Sequence, residues 1–115
     1  MTGRRANVRV EERGKADVVI CSGGFDHETY MALEEAVEGL LACSRFNIVV
    51  DLTEISYMCS GAWGVFLKVM KRIKRGSGKI VISGMSAEVK AVYDMLELYE
   101  FVESYDNIDK AVQSF

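Results

Sequence analysis

The feature that most constrains this chain is a strand that runs almost directly into a helix. Phe46-Asn47-Ile48-Val49-Val50-Asp51-Leu52 carries an unbroken β-branched run at Ile48, Val49 and Val50. Such a run suits a strand covered on both faces. Beyond it, Ala62, Phe66, Val69, Met70 and Ile73 recur at i, i+4, i+7, i+8 and i+11, the period of an amphipathic helix. A short polar turn joins the two, so Cys59-Ser60-Gly61 falls where a sheet hands over to a helix N-terminus. Backbone N–H groups are unpaired at such a point, and the helix dipole favours negative charge there. If the chain carries a chemical switch, Ser60 is the best place for it.

The rest of the chain arranges itself around that unit. Asn7–Glu12 alternates as an edge strand does, and Gly14-Lys15 turns it into a second strand, Ala16–Cys21. Ser22-Gly23-Gly24-Phe25 reads as a loop. Asp26 is placed to N-cap a helix over residues 27–43, with Tyr30, Leu33, Val37, Leu40 and Leu41 inward. After the central strand and a helix from Ser60 to Arg75, Gly76-Ser77-Gly78 stops the helix and Lys79–Ser83 forms a strand. Gly84-Met85-Ser86 caps a helix over 87–97, with Val89, Val92, Tyr93 and Leu96 inward. A short extended piece at Phe101-Val102 precedes a last helix from Asn107, with Ile108, Ala111, Val112 and Phe115 inside. Helix-length crossovers between the later strands predict a largely parallel sheet with an antiparallel start.

Composition narrows the function classes. At 115 residues, half of them hydrophobic, the chain suits one globular domain with an ordinary core. Its net charge of −3 gives no global argument for nucleic acid or membrane. Cys21, Cys43 and Cys59 form no C-x-x-C pair and read as reduced, mostly buried thiols. The start, Met1-Thr2-Gly3-Arg4-Arg5, leads into no signal-like apolar stretch. A soluble cytoplasmic protein is expected.

Other motifs carry less. Gly76-Ser77-Gly78-Lys79 lacks the spacing of a phosphate loop and runs from helix to strand, so it reads as a turn. His27 is the only histidine, and no second histidine or spaced cysteine accompanies it, so no metal site is expected. Nothing in the order of residues supports a catalytic triad. The basic run Lys68, Lys71, Arg72, Lys74 and Arg75 reads as a solvated face complementing the helix C-terminus, with partner docking left open. Trp63 lies roughly 100° from Ala62 around the helix. It is either core or a partly exposed interface residue. Serine is a preferred N-cap, so capping alone accounts for Ser60 unless a further signal is present.

That signal is a family resemblance. The stretch from Val49 to Val65, with Asp51-Leu52 and then Tyr57-Met58-Cys59-Ser60-Gly61-Ala62-Trp63-Gly64-Val65, resembles the signature of STAS domains, the fold of bacterial anti-sigma factor antagonists. Gly23-Gly24-Phe25-Asp26, Lys79–Ser86, Val92–Leu98 and Tyr105–Ala111 are similar to further family segments, in the same order. The resemblance implies an α/β fold over residues 1–115: a single STAS-like domain, a mixed and mostly parallel sheet of four to five strands, and four helices. It implies a non-enzymatic antagonist without cofactor or metal, a monomer or weak homodimer. Its partner would be an anti-sigma factor that is also a serine kinase, with a serine phosphatase to reset the switch. Without a gap, the family's phosphorylated serine falls on Ser60. Its acidic neighbour becomes Cys59, its second serine Gly61, and its glycine Ala62. Asp26, Cys59, Ser60, Gly61 and Trp63 are the implied partner-binding residues. The alternative is a scaffold STAS module that is never phosphorylated, which the changes at Cys59 and Gly61 favour.

Overall fold

The computed structural model describes residues 6–115; the leader reading of Met1–Arg5 lies outside the described residues. The elements run β1 (Asn7–Arg13), β2 (Ala16–Phe25), α1 (Met31–Ala42), β3 (Asn47–Met58), α2 (Ser60–Arg75) and β4 (Lys79–Ser83). Then come α3 (Ala87–Met95), a single 3-10 turn at Leu98–Glu100, β5 (Ser104–Tyr105) and α4 (Ile108–Gln113). Sheet order follows chain order, β1-β2-β3-β4-β5. β1 is antiparallel to β2 and every later pair is parallel. This is the expected mixed sheet with four helices.

The central strand alternates between two cores. Ile48 and Val50 join Val19, Ile80 and Ile82 under the side chains of α1, α2 and α3. Val49 points the other way, with Val18, Val81 and Ala111 of α4. All three β-branched residues of the run are fully buried, as a strand covered on both faces requires.

Two strands extend further than the sequence suggests. Ser22–Phe25, expected as a loop, continues β2, and Thr53–Met58, expected as a turn, continues β3. Each supplies the other's hydrogen bonds beyond the end of β4, with Gly23 opposite Ile55 and Phe25 opposite Met58. Register slips at Ile20/Ser22 and Gly23/Gly24 mark bulges, and glycines accommodate bulges as readily as loops. Conversely, α1 starts at Met31 rather than 27, because residues 26–30 form a separate turn. α3 ends at Met95, just before Glu97 takes a left-handed φ of 53°, so Leu96 is turned outward and half exposed instead of inward. The last extended piece is Ser104–Tyr105 rather than Phe101-Val102. Of the three thiols, Cys21 is buried, Cys59 half-buried and Cys43 exposed, which corrects the expectation of mostly buried cysteines.

Gly78 shows where the turn after α2 is tight. A Cβ there would run into the backbone carbonyl of Phe46, which cannot swing aside as a side chain can. A Cβ on Gly39, in α1, would meet nothing within 4 Å. Gly78→Ala should therefore lower stability by about 1–3 kcal/mol. Gly39→Ala should raise it by roughly 0.5–1 kcal/mol through helix propensity. Urea unfolding midpoints of the two variants, moving in opposite directions, are the check.

Candidate functional site

The site forms where the long ends of β2 and β3 stop side by side. Phe25 and Met58 are register partners, and the Cys59 N–H donates to the Phe25 carbonyl at 2.8 Å. This bond sets the turn after β2 against the start of α2. In that turn the Asp26 carboxylate accepts from the backbone N–H groups of Glu28 at 2.8 Å and Thr29 at 2.9 Å. Those bonds, with help from the Thr29 hydroxyl, hold the Asp26 carboxyl below its ordinary range. Asp26 thus caps its own turn rather than the helix directly.

Ser60 is exposed and is the first residue of α2. The capping position belongs to Cys59, in extended backbone at φ −75° and ψ 170°, and its side chain makes no capping bond. Ser60 is therefore not the cap that sequence preference suggested. Its hydroxyl has no hydrogen-bond partner among the described residues. In the first turn, the N–H groups of Ala62 and Trp63 donate to the Cys59 carbonyl at 3.1 and 3.3 Å. Those of Ser60 and Gly61 precede the helical ladder and find no acceptor among the described residues.

Gly61 lies against the Tyr30 ring, which a Cβ at that position would meet at 2.9 Å. A serine there would have to displace Tyr30, so glycine and tyrosine fit each other. Tyr30 is a site residue that sequence reading placed only in the helix stripe; its signal was an aromatic ring four residues after Asp26.

Trp63 departs from its interface reading. It is 4% exposed, wedged between Phe66 and Tyr93 with ring centroids 6.3 Å from each. Its indole N–H is buried without an acceptor among the described residues. The ring forms the floor of an apolar cleft of about 200 Å³ beside the turn, bordered by Tyr57, Met58, Val89 and Val92. Tyr57, 56% exposed at its rim, was not singled out from the sequence. Asp26, Cys59, Ser60 and Gly61 thus share one surface with Tyr30, while Trp63 supports it from beneath.

The remaining candidates behave as structure. Burial pushes the Cys21 thiol up to about 12, with the nearby Asp51 charge adding to it, so it is unreactive at neutral pH. Asp51 is itself buried and satisfied, accepting from Thr53 and Ser83 hydroxyls at 2.8 Å each. His27 is exposed, and no group of three His, Cys, Asp or Glu among the described residues is placed to hold a metal. No described helix is long and apolar enough to cross a membrane.

Fold and site together define a small α/β domain that presents a bare helix-start hydroxyl, buttressed by a carboxylate-capped turn. The chain belongs to the STAS domain family, whose profile matches residues 7–111. It is 26% identical over 98 residues to the anti-sigma-B factor antagonist of Listeria monocytogenes, covering 84% of this chain and 86% of that one. It is 29% identical over 107 residues to the anti-sigma F factor antagonist of Paenibacillus polymyxa, covering 88% and 89%. Among solved structures, an anti-sigma factor antagonist from Mycobacterium paratuberculosis superposes with a TM-score of 0.86 at 21% identity, covering 95% of this chain and 92% of that one. The phosphorylated form of the Bacillus cell fate determinant SpoIIAA superposes at 0.71 with 15% identity, covering 94% and 98%. At these identities the structural likeness establishes the fold alone.

Proposed function

We propose that this chain is a cytoplasmic, non-enzymatic anti-sigma factor antagonist whose partner is an anti-sigma factor with serine kinase activity, docking over Ser60. The observation that carries this reading is the exposed Ser60 hydroxyl at the first position of α2, beside two unpaired N–H groups. A phosphoryl group moved from ATP to that oxygen would bring about −1.5 to −2 charges. The helix dipole and the free N–H groups would stabilise it within the domain. A partner fitted to a neutral hydroxyl would be excluded by the same charge, so binding could be lost without unfolding. A serine phosphatase would restore the binding form. The curated relatives bear the names of antagonists, which supports the reading.

The half-buried, uncharged Cys59 favours a second reading, a scaffold module that binds partners without being phosphorylated. One experiment separates them. The chain is incubated with ATP and each purified anti-sigma kinase of the source genome, and its intact mass is recorded. A gain of one phosphoryl group, absent in Ser60→Ala, supports the switch. Stable complexes with no mass change in any of them support the scaffold.

A further inference from the structure

A second surface lies along the C-terminal half of α2 and the neighbouring end of α3. There Met95, Leu96, Tyr99 and Phe101 are 72%, 49%, 52% and 58% exposed, clustered where α3 gives way to the 3-10 turn. Single exposed apolar residues need no explanation, but four within seven positions form a patch. Its charges are one-sided. Glu97 and Glu100 are exposed and make no ion pair among the described residues. Glu97 also holds a left-handed φ of 53°, a conformation that favours glycine.

The neighbouring surface carries the opposite pattern. On α1 and α2, Lys68 pairs with Glu34 and Arg72 with Glu38, which absorbs one side of the basic run. Leu67, 48% exposed, together with Lys71 and Lys74, occupies the other side at i, i+4 and i+7. Neither lysine has an ion-pair partner among the described residues. The two strips are adjacent, because Phe101 shares a shallow cleft with Met70, Ile73 and Lys74 of the last turns of α2. One continuous face therefore has an acidic-apolar half and a basic-apolar half.

We propose that this face is a self-complementary interface, on which a second copy of the chain docks about a two-fold axis. A two-fold contact brings each patch against the matching patch of the other copy, residue i to j and j to i. Leu67 of each copy then covers the Tyr99–Phe101 surface of the other, and Lys71 and Lys74 meet Glu97 and Glu100. Both apolar halves and all four unpaired charges are satisfied by the same arrangement. Leu67 lies seven residues beyond Ser60 on the same face of α2, about 10 Å along the helix, so a second copy and the partner proposed above would contend for neighbouring surface.

The test is sedimentation equilibrium of the full chain and of two charge variants with opposite design. In the first, Lys71→Glu with Lys74→Glu makes both halves acidic; in the second, Glu97→Lys with Glu100→Lys makes both halves basic. The natural chain should dimerise, and more weakly as salt screens the charges. Each variant alone should associate at least about tenfold more weakly than the natural chain, through like-charge contacts. An equal mixture of the two should recover a dimer, because each acidic half now faces a basic one. Phe101→Ser should also weaken the dimer, with circular dichroism establishing that every variant is folded. A natural chain still monomeric at about 1 mM would overturn the proposal. So would variants that dimerise as the natural chain does, or folded variants whose mixture stays monomeric.

Discussion

Ser60→Asp is expected to abolish capture of the chain by its anti-sigma factor while leaving the fold intact. Ser60 is the first residue of α2 and its side chain makes no bond within the described protein, so nothing structural is lost. A carboxylate at a helix start is favourable by about 0.3–1 kcal/mol. The thermal midpoint should therefore hold or rise slightly. Binding should respond in the opposite sense, since a charge buried without a counter-charge in an interface costs several kcal/mol, or a loss on the order of 100-fold in affinity. Ser60→Ala is the necessary companion. Had Ser60 been the cap, alanine would have cost about 0.5–2 kcal/mol; at the first helical position it should be nearly neutral and retain binding. Titration calorimetry of both variants against the partner is the measurement. Equal affinities would remove the charge-based switch, and a destabilised Ser60→Ala would contradict the geometry of the helix start.

The element order was legible because it rests on long periodic patterns. The Ile48–Val50 run is fully buried, and the Ala62–Ile73 stripe is buried at every position except the half-buried Met70. The margins were less legible, since local residue preferences there give way to pairing with distant segments. Gly23-Gly24 says loop, yet a strand is waiting beside it, and β3 needs a neighbour once β4 has ended. Trp63 was open between core and interface from its spacing, and the structure takes the core alternative. Its position on the helical wheel puts it at the edge of the stripe, and only the placement of Tyr93 on α3 closes over it. The Tyr30–Gly61 contact joins two elements thirty-one positions apart, so no local pattern carried it. Asp26, Cys59 and Ser60 were readable as neighbours only through the family resemblance. The structural cause is the pairing of the β2 and β3 ends, Phe25 beside Met58, carried one step further by the backbone bond from Cys59 to Phe25.

Cys59→Asp should both stabilise the chain and make Ser60 a better phosphoryl acceptor. The two effects have one origin. Position 59 is the N-cap of α2, and a cap side chain normally accepts from an N–H in the following turn. Here the thiol accepts none, and the Gly61 N–H two residues on is left without a partner among the described residues. Cysteine instead rests half-buried against the core, behaving as a small apolar filler. An aspartate would take the vacant donor and face the positive end of the dipole. That should raise stability by about 1 kcal/mol, or roughly 4 °C in thermal midpoint for a domain of this size. The same carboxylate would stand one residue from the acceptor hydroxyl, a hard oxygen ligand able to help place a kinase's magnesium ion. Phosphorylation of the natural chain should accordingly be slow, and Cys59→Asp should speed it by roughly tenfold or more, the effect of about 1.4 kcal/mol on a barrier. Cys59→Asn separates the two contributions, because an amide caps a helix as well as a carboxylate does but brings no charge. It should recover the stability and leave the rate unchanged. Rapid, complete phosphorylation of the natural chain, unaltered by Cys59→Asp, would mean that the missing carboxylate is irrelevant to the kinase. A Cys59→Asn variant as fast as Cys59→Asp would assign the whole effect to a better-formed helix start.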